Sequence, residues 1–103
     1  MRIATHVGTK KATIRTVDDF GRLLIPQKIR NQLNWQLGDR LATFVETLNN
    51  RLILYKRSAA EMAIDDYGRI RITPQLRNEL DWEIFEEIKI SVSNDRLVLH
   101  SIT

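Results

Sequence analysis

Residues 12–18, "ATIRTVD", follow the apolar–polar alternation of a half-buried strand, and "RLLIP" at 22–26 predicts a second strand ended by its proline. Between them lies "DDFG", which is turn chemistry: aspartate accepts hydrogen bonds from nearby backbone N–H groups, and Gly21 takes positive φ without steric cost. The two strands and this turn predict a hairpin. The period then changes. In "PQKIRNQL", residues 26–33, Ile29 and Leu33 stand four apart on one face, away from Lys28, Arg30 and Asn31, so the segment predicts a short helix. After a turn marked by Gly38, "RLATFVETL" (40–48) and "RLILYK" (51–56) predict a second hairpin across Asn49-Asn50.

The same pattern is then stated again. Asp18, Asp19, Gly21, Arg22, Ile25, Arg30, Asn31, Leu33 and Trp35 recur 47 positions later as Asp65, Asp66, Gly68, Arg69, Ile72, Arg77, Asn78, Leu80 and Trp82. After a two-residue shortening, "NNRLILYK" (49–56) is answered by "NDRLVLHS" (94–101). This is an internal duplication. In the second copy Thr73-Pro74 supplies a helix N-cap followed by proline at the first helical position, and Leu76 and Leu80 repeat the apolar pair. Each copy, in the order β-β-α-β-β, is too small for an adequate core of its own. The expectation is therefore one mostly β fold with two short helices, in which two tandem repeats share a core with approximate two-fold symmetry. Its eight largely antiparallel strands would close into a barrel, removing exposed edges. The boundaries expected are a basic N-terminal arm at 1–11, a first repeat at 12–57, a linker at 58–61 and a second repeat at 62–103.

Charge sharpens the picture more than composition does. Hydrophobic residues make up 43% of the 103, enough for a core, and no stretch has the length of a membrane span or the form of a signal peptide, which predicts a soluble cytoplasmic protein. Cysteine is absent, excluding disulfides and cysteine-based zinc sites. The net charge of +3 divides unevenly: residues 1–57 hold eleven Lys and Arg against four acids, and residues 58–103 hold five against nine. A basic half points to a polyanionic partner, above all nucleic acid, with an unevenly charged solvated surface as the plain alternative. It also raises the expectation that the first copy dominates affinity, while the acidic second copy (Glu79, Asp81, Glu83, Glu86, Glu87) meets protein.

No catalytic constellation emerges. His6 and His100 have no metal-ligand spacing, and neither a phosphate loop nor a nucleophile motif occurs. The pairs Asp18-Asp19 and Asp65-Asp66 directly precede turns, so turn capping and an ion pair to the following arginine explain them better than acid–base work. Trp35 and Trp82, flanked by core leucines, read as core rather than as base-stacking platforms. No enzyme, metal or cofactor is expected. The arginines remain. Arg22 and Arg69 leave equivalent turns, and Arg30 and Arg77 sit at equivalent helix positions, each followed by an asparagine, Asn31 or Asn78. Arginine suits forked hydrogen bonds to phosphate or to guanine in the major groove, and asparagine can pair with adenine.

"VDDFGRLLIPQKIRNQLNWQLGDRLATFVETLNNRLILYK" (17–56) resembles the AbrB/SpoVT-type DNA-binding domain, with its "VDxxGRxxIPxxxR" signature, short helix and second hairpin. The likeness covers residues 13–57 closely and 62–101 in a drifted form. It implies a swapped-hairpin barrel, normally built by two chains, and a prokaryotic transcriptional regulator that binds operator DNA in the cytoplasm, at the nucleoid. By this resemblance Arg15, Arg22 and Arg30, with Arg69 and Arg77 in the second copy, stand at DNA-contacting positions. Asn31 and Asn78 stand where another arginine is usual, Met62 stands opposite Arg15, and Thr73 replaces the signature proline. Lys28 would support these contacts, and Lys10 and Lys11 would add phosphate attraction. The tandem arrangement is similar, more distantly, to MraZ. The partners expected are double-stranded DNA and a second copy of the two-repeat chain, with no membrane. The rival reading is a protein-binding module such as a MazE-like antitoxin.

Overall fold

The computed structural model describes residues 12–102. Its elements, in chain order, are β1 (Thr13–Thr16), β2 (Arg22–Leu24), α1 (Gln27–Leu33), β3 (Arg40–Glu46), β4 (Arg51–Lys56), β5 (Met62–Ala63), β6 (Arg69–Arg71), α2 (Pro74–Leu80), β7 (Glu87–Ser93) and β8 (Arg96–Ser101). The fold is mostly β with two short helices, as the patterning predicted. Six strands form a curled half-barrel sheet in the order β1-β7-β8-β4-β3-β5, and β2 with β6 forms a separate two-stranded ribbon. Every pair is antiparallel.

The first expected hairpin does not form as a ladder. The turn after Val17 is present, but β1 leaves to pair with β7 and β2 pairs with β6. Val17 shows why. It is fully buried, and its backbone continues the β1–β7 contact, donating to Glu86 O at 2.9 Å and accepting from Phe85 N at 2.7 Å. Leu23 and Ile25 are fully buried as well, so the parted strands carry the apolar residues on both sides of the turn into the core. The same parting leaves the sheet open at β1 and β5 rather than closed through the ribbon. The later hairpins do form: β3 pairs with β4 across a four-residue loop and β7 with β8 across a two-residue one. That difference is the shortening visible in the sequence.

The registers map onto one another. Arg15 faces Ile88 in the β1–β7 pair, and 47 residues away Met62 faces Leu41 in the β3–β5 pair. Leu23 faces Ile70 across the ribbon, and Ile53 faces Val98 across β4–β8, so equivalent residues meet each other at both ends of the molecule. The core runs between these pairs. Leu23, Ile25, Leu52, Leu54, Ile72, Leu97 and Leu99 are fully buried, and no charged or polar residue among those described is buried with them. Most of the strand pairing is long-range, so hydrophobic burial in this fold is shared between the two segments rather than gathered within either.

The two helices end alike, and α2 is also capped by a side chain at its start. Leu76 N donates to the Thr73 side chain at 3.3 Å, and Pro74 opens α2. Each helix ends in a left-handed residue, Asn34 (φ 61°) or Asp81 (φ 59°), after which Trp35 N and Trp82 N turn back to Arg30 O and Arg77 O at 2.8 Å. That reversal drops both indoles into the core, each 3% exposed. Among the described residues no helix is long and apolar enough to cross a membrane.

One turn differs in chemistry but not in shape. Gly38 (φ 88°) donates to Ile64 O at 2.7 Å, and the equivalent Phe85 holds φ 68° while donating to Val17 O at 2.7 Å. A bulky side chain in that region is strained by about 1–2 kcal/mol. Replacing Phe85 with glycine, whose unfolded-state entropy returns part of that gain, should stabilise the fold by about 0.5–1 kcal/mol and raise Tm by a few degrees. Gly38→Ala should destabilise by about 1 kcal/mol. Because nothing lies within 4 Å of a Cβ at Gly38, that loss reports backbone strain alone. Thermal melts of the two variants check both signs.

Candidate nucleic-acid interface

The aspartate that opens each turn organises it. Asp18 Oδ1 accepts from Phe20 N at 2.9 Å and Arg22 N at 2.8 Å, while Oδ2 accepts from Arg22 Nε at 2.8 Å. In the second turn Asp65 Oδ1 accepts from Tyr67 N at 2.9 Å and Arg69 N at 2.8 Å, and Oδ2 accepts from Arg69 Nε at 3.1 Å. Each guanidinium also covers an exposed ring, with Arg22 over Phe20 and Arg69 over Tyr67 at 4.9 Å. The turn-cap and ion-pair reading of Asp18 and Asp65 is therefore what the structure contains. Asp19 and Asp66 are exposed and make no hydrogen bond among the described residues.

The helix arginines reach across. Arg30 Nε donates to Ile25 O at 3.0 Å and Arg77 Nε to Ile72 O at 3.1 Å. Thus anchored, Arg77 lies against Gly21 and Arg30 against Gly68, each on the other segment's turn. A Cβ at Gly21 would come within 3.0 Å of Ile72 O and 3.3 Å of Arg77 Nε, and one at Gly68 within 3.1 Å of Arg30 Nη2. With φ of 79° and 81°, these two glycines are required both by conformation and by close approach.

The ribbon supplies the surface between the turns. Arg22 faces Arg71, Leu23 faces Ile70 and Leu24 faces Arg69. Because strand residues alternate, the buried Leu23 and Ile70 hold one face, and Arg22, Leu24, Arg69 and Arg71 share the outward one. Sequence reasoning missed Arg71. The signal was present in "RIR", where two arginines flank a buried isoleucine at the spacing of one strand face. The outward face and its flanks thus gather Arg22, Arg30, Arg69, Arg71 and Arg77 from both segments, so the basic–acidic division of the sequence does not carry over to it. Four of these hold Nε in a protein contact. Among the described residues none of the five has a recorded hydrogen bond at its terminal nitrogens.

The other expected site residues among those described lie on β1 and the helices rather than on the ribbon itself. Arg15 is exposed on the sheet's edge strand β1, its Nη1 donating to Ile14 O at 2.8 Å. Lys28 is exposed at the start of α1 and lines an open groove of about 650 Å³ with Ile29, Gln32 and Lys89. Asn31 and Asn78 are exposed on their helices, each directly after the anchored arginine. Lys10 and Lys11 fall outside the described residues. A second groove of about 640 Å³, beside α2, is lined by Leu41, Met62, Leu76, Glu61, Glu79 and Arg71. Among the described residues no three His, Asp or Glu side chains converge as a metal site would require.

Compared with family models, curated proteins and solved structures, the chain matches none.

Partial burial opposes ionisation of Asp18 and Asp65, but the turn amides and the arginine guanidinium outweigh it and hold both carboxyls below the usual aspartate range. Asp39 is lowered by the Gln36 amide and then by Lys56. A carboxyl lowered on folding contributes its full stability above the unfolded value, about 3.9, and loses it as pH falls through the native value. Asp18→Asn and Asp65→Asn keep a carbonyl oxygen for the turn amides while removing the charge. Each should cost up to about 1 kcal/mol at pH 7, as part-exposed ion pairs do. The deficit should shrink as pH falls from about 4 towards 2, because the native carboxyls then protonate as well. Urea midpoints at the two ends of that range measure it.

Proposed function

We propose that this chain is a DNA-binding transcriptional regulator that lays the outward face of the β2–β6 ribbon in the major groove. One observation carries the reading: Arg22, Arg69 and Arg71 on the ribbon, with Arg30 and Arg77 beside it, form a single face of side chains whose terminal nitrogens make no hydrogen bond among the described residues. The major groove, about 12 Å wide, admits a two-stranded ribbon. A guanidinium already anchored through Nε loses less freedom on binding and presents its outer edge as a fork for phosphate or for guanine O6 and N7. The paired Asp18 and Asp65 remove part of the positive field while fixing the forks in place. Lys28, Asn31 and Asn78 would reach the DNA backbone beside the ribbon, with Arg15, Lys10 and Lys11 adding longer-range attraction.

The architecture belongs to the same proposal. The two segments are read as tandem AbrB/SpoVT-type repeats sharing one swapped-hairpin barrel, a reading supported by equivalent registers in the β1–β7 and β3–β5 pairs and by the exchange of β2 and β6 between segments. A single chain then offers the two-fold face that family members build from two. No catalytic role or cofactor enters this reading, and its setting is the cytoplasm.

Fluorescence anisotropy with mixed-sequence duplexes over about 50–300 mM salt tests it. Affinity should fall steeply, with a log–log slope of about −0.9 for each phosphate neutralised. No binding, or binding indifferent to salt, would overturn the reading in favour of a protein-binding module. Arg77→Ala and Arg30→Ala should each weaken DNA binding by about tenfold to a hundredfold, the cost of one good arginine contact.

A further inference from the structure

The ribbon is two-fold in backbone but not in side chains. About the Leu23–Ile70 pair, Arg22 exchanges with Arg69, whereas Leu24 exchanges with Arg71. One end of the outward face therefore carries two directly opposed guanidiniums, Arg22 and Arg71, and the other carries Arg69 beside an apolar side chain. Leu24 is 39% exposed, between two residues that are fully buried, so the core makes little use of it. Arg71 is exposed and has no ion pair among the described residues, whereas the opposed Arg22 is held by Asp18. Folding explains neither residue. An acceptor-rich surface laid against the Arg22–Arg71 end would give Arg71 the partner it lacks among the described residues.

We infer that the recognition sequence is asymmetric, with guanine read at the Arg22–Arg71 end and thymine accepted against Leu24 at the other. This inference rests on the DNA-binding reading above. The chemistry is that of base edges: arginine forms a bidentate pair with guanine O6 and N7, and an apolar side chain packs on the thymine 5-methyl group. Leu24 and Arg71 are thus specificity-determining residues, and they make the two halves of one chain ask for different half-sites.

The test is selection of bound duplexes from a randomised pool by the intact chain, alongside Leu24→Arg and Arg71→Leu. Each substitution installs the residue that the equivalent strand position already carries, and a Tm measurement confirms folding. Wild-type protein should recover two unlike half-sites. Leu24→Arg should recover a near-palindrome with guanine in both halves, and Arg71→Leu should lose the guanine preference at its end by roughly tenfold to a hundredfold. A palindrome recovered by the wild type would overturn the inference while leaving DNA binding intact. So would variants that keep the wild-type sequence preference and change only overall affinity, since Arg71 would then be a phosphate contact. If no duplex is retained even at low salt, the inference and the functional reading fall together. Should either variant not fold, the symmetry of the wild-type site decides alone.

Discussion

Gly21 and Gly68 each lie under a helix arginine from the other segment, and the ribbon depends on that crossing. At Gly21 there is no side chain to keep Ile72 away, so Ile72 N donates to Gly21 O at 2.7 Å while the Arg77 guanidinium rests on the turn. The mirrored contact joins Ile25 N to Gly68 O at 2.9 Å beneath Arg30. A Cβ at Gly21 would press on the Ile72 carbonyl of the backbone that closes β2 onto β6, and one at Gly68 would press on the Arg30 guanidinium. The positive φ, the aspartate that caps the turn and the anchored guanidiniums are parts of one local solution. It brings two distant stretches of chain close and leaves charged side chains outside.

The core follows from the same crossing. Val17 and Leu23 stand on the two strands that part after the first turn. By sending β1 to β7 and β2 to β6, the chain buries both completely. Burial in this fold is thus a joint property of the segments, and the anchored arginines are held by carbonyls, Ile25 O and Ile72 O, that stand next to the ribbon's own strands. The rigidity of the outward face comes from the core behind it.

What could be read from the sequence divides along this line. Turn chemistry, helix caps and the later hairpins were legible because each is decided by residues a few positions apart: Asp18 with Arg22, Thr73 with Leu76, and the Asn49-Asn50 and Asn94-Asp95 loops. The pairing of β1 was not, because alternation shows that Val17 must be buried but not that its partner lies near residue 86. Arg71 was overlooked for a related reason. Comparison between the two copies gives weight to residues that recur, and Arg71 stands where the first copy has Leu24. Phe85 was hidden in the same way, since a left-handed turn without glycine carries no local signature. The placement of Arg30 and Arg77 against the opposite turns required the crossing itself.

The differences between the equivalent segments are not scattered evenly. The turn and the residues that cross to it are the same in both segments: Asp18 and Asp65, Gly21 and Gly68, Arg22 and Arg69, and Arg30 and Arg77. Several positions away from that crossing diverge. Lys28 and Lys89 line one groove, whereas Gln75 and Ala42 occupy the corresponding places in the other, which instead carries Glu61 and Glu79. Gly38 is answered by Phe85 and Leu24 by Arg71. A symmetric pairing of two identical chains could not hold such differences, because any change would appear on both sides of the axis. Joining the segments in one chain removes that constraint everywhere except at the contacts themselves, where a residue on one side must still fit its opposite. The crossing therefore fixes the turns and their arginines and leaves Leu24 and Arg71 free to differ.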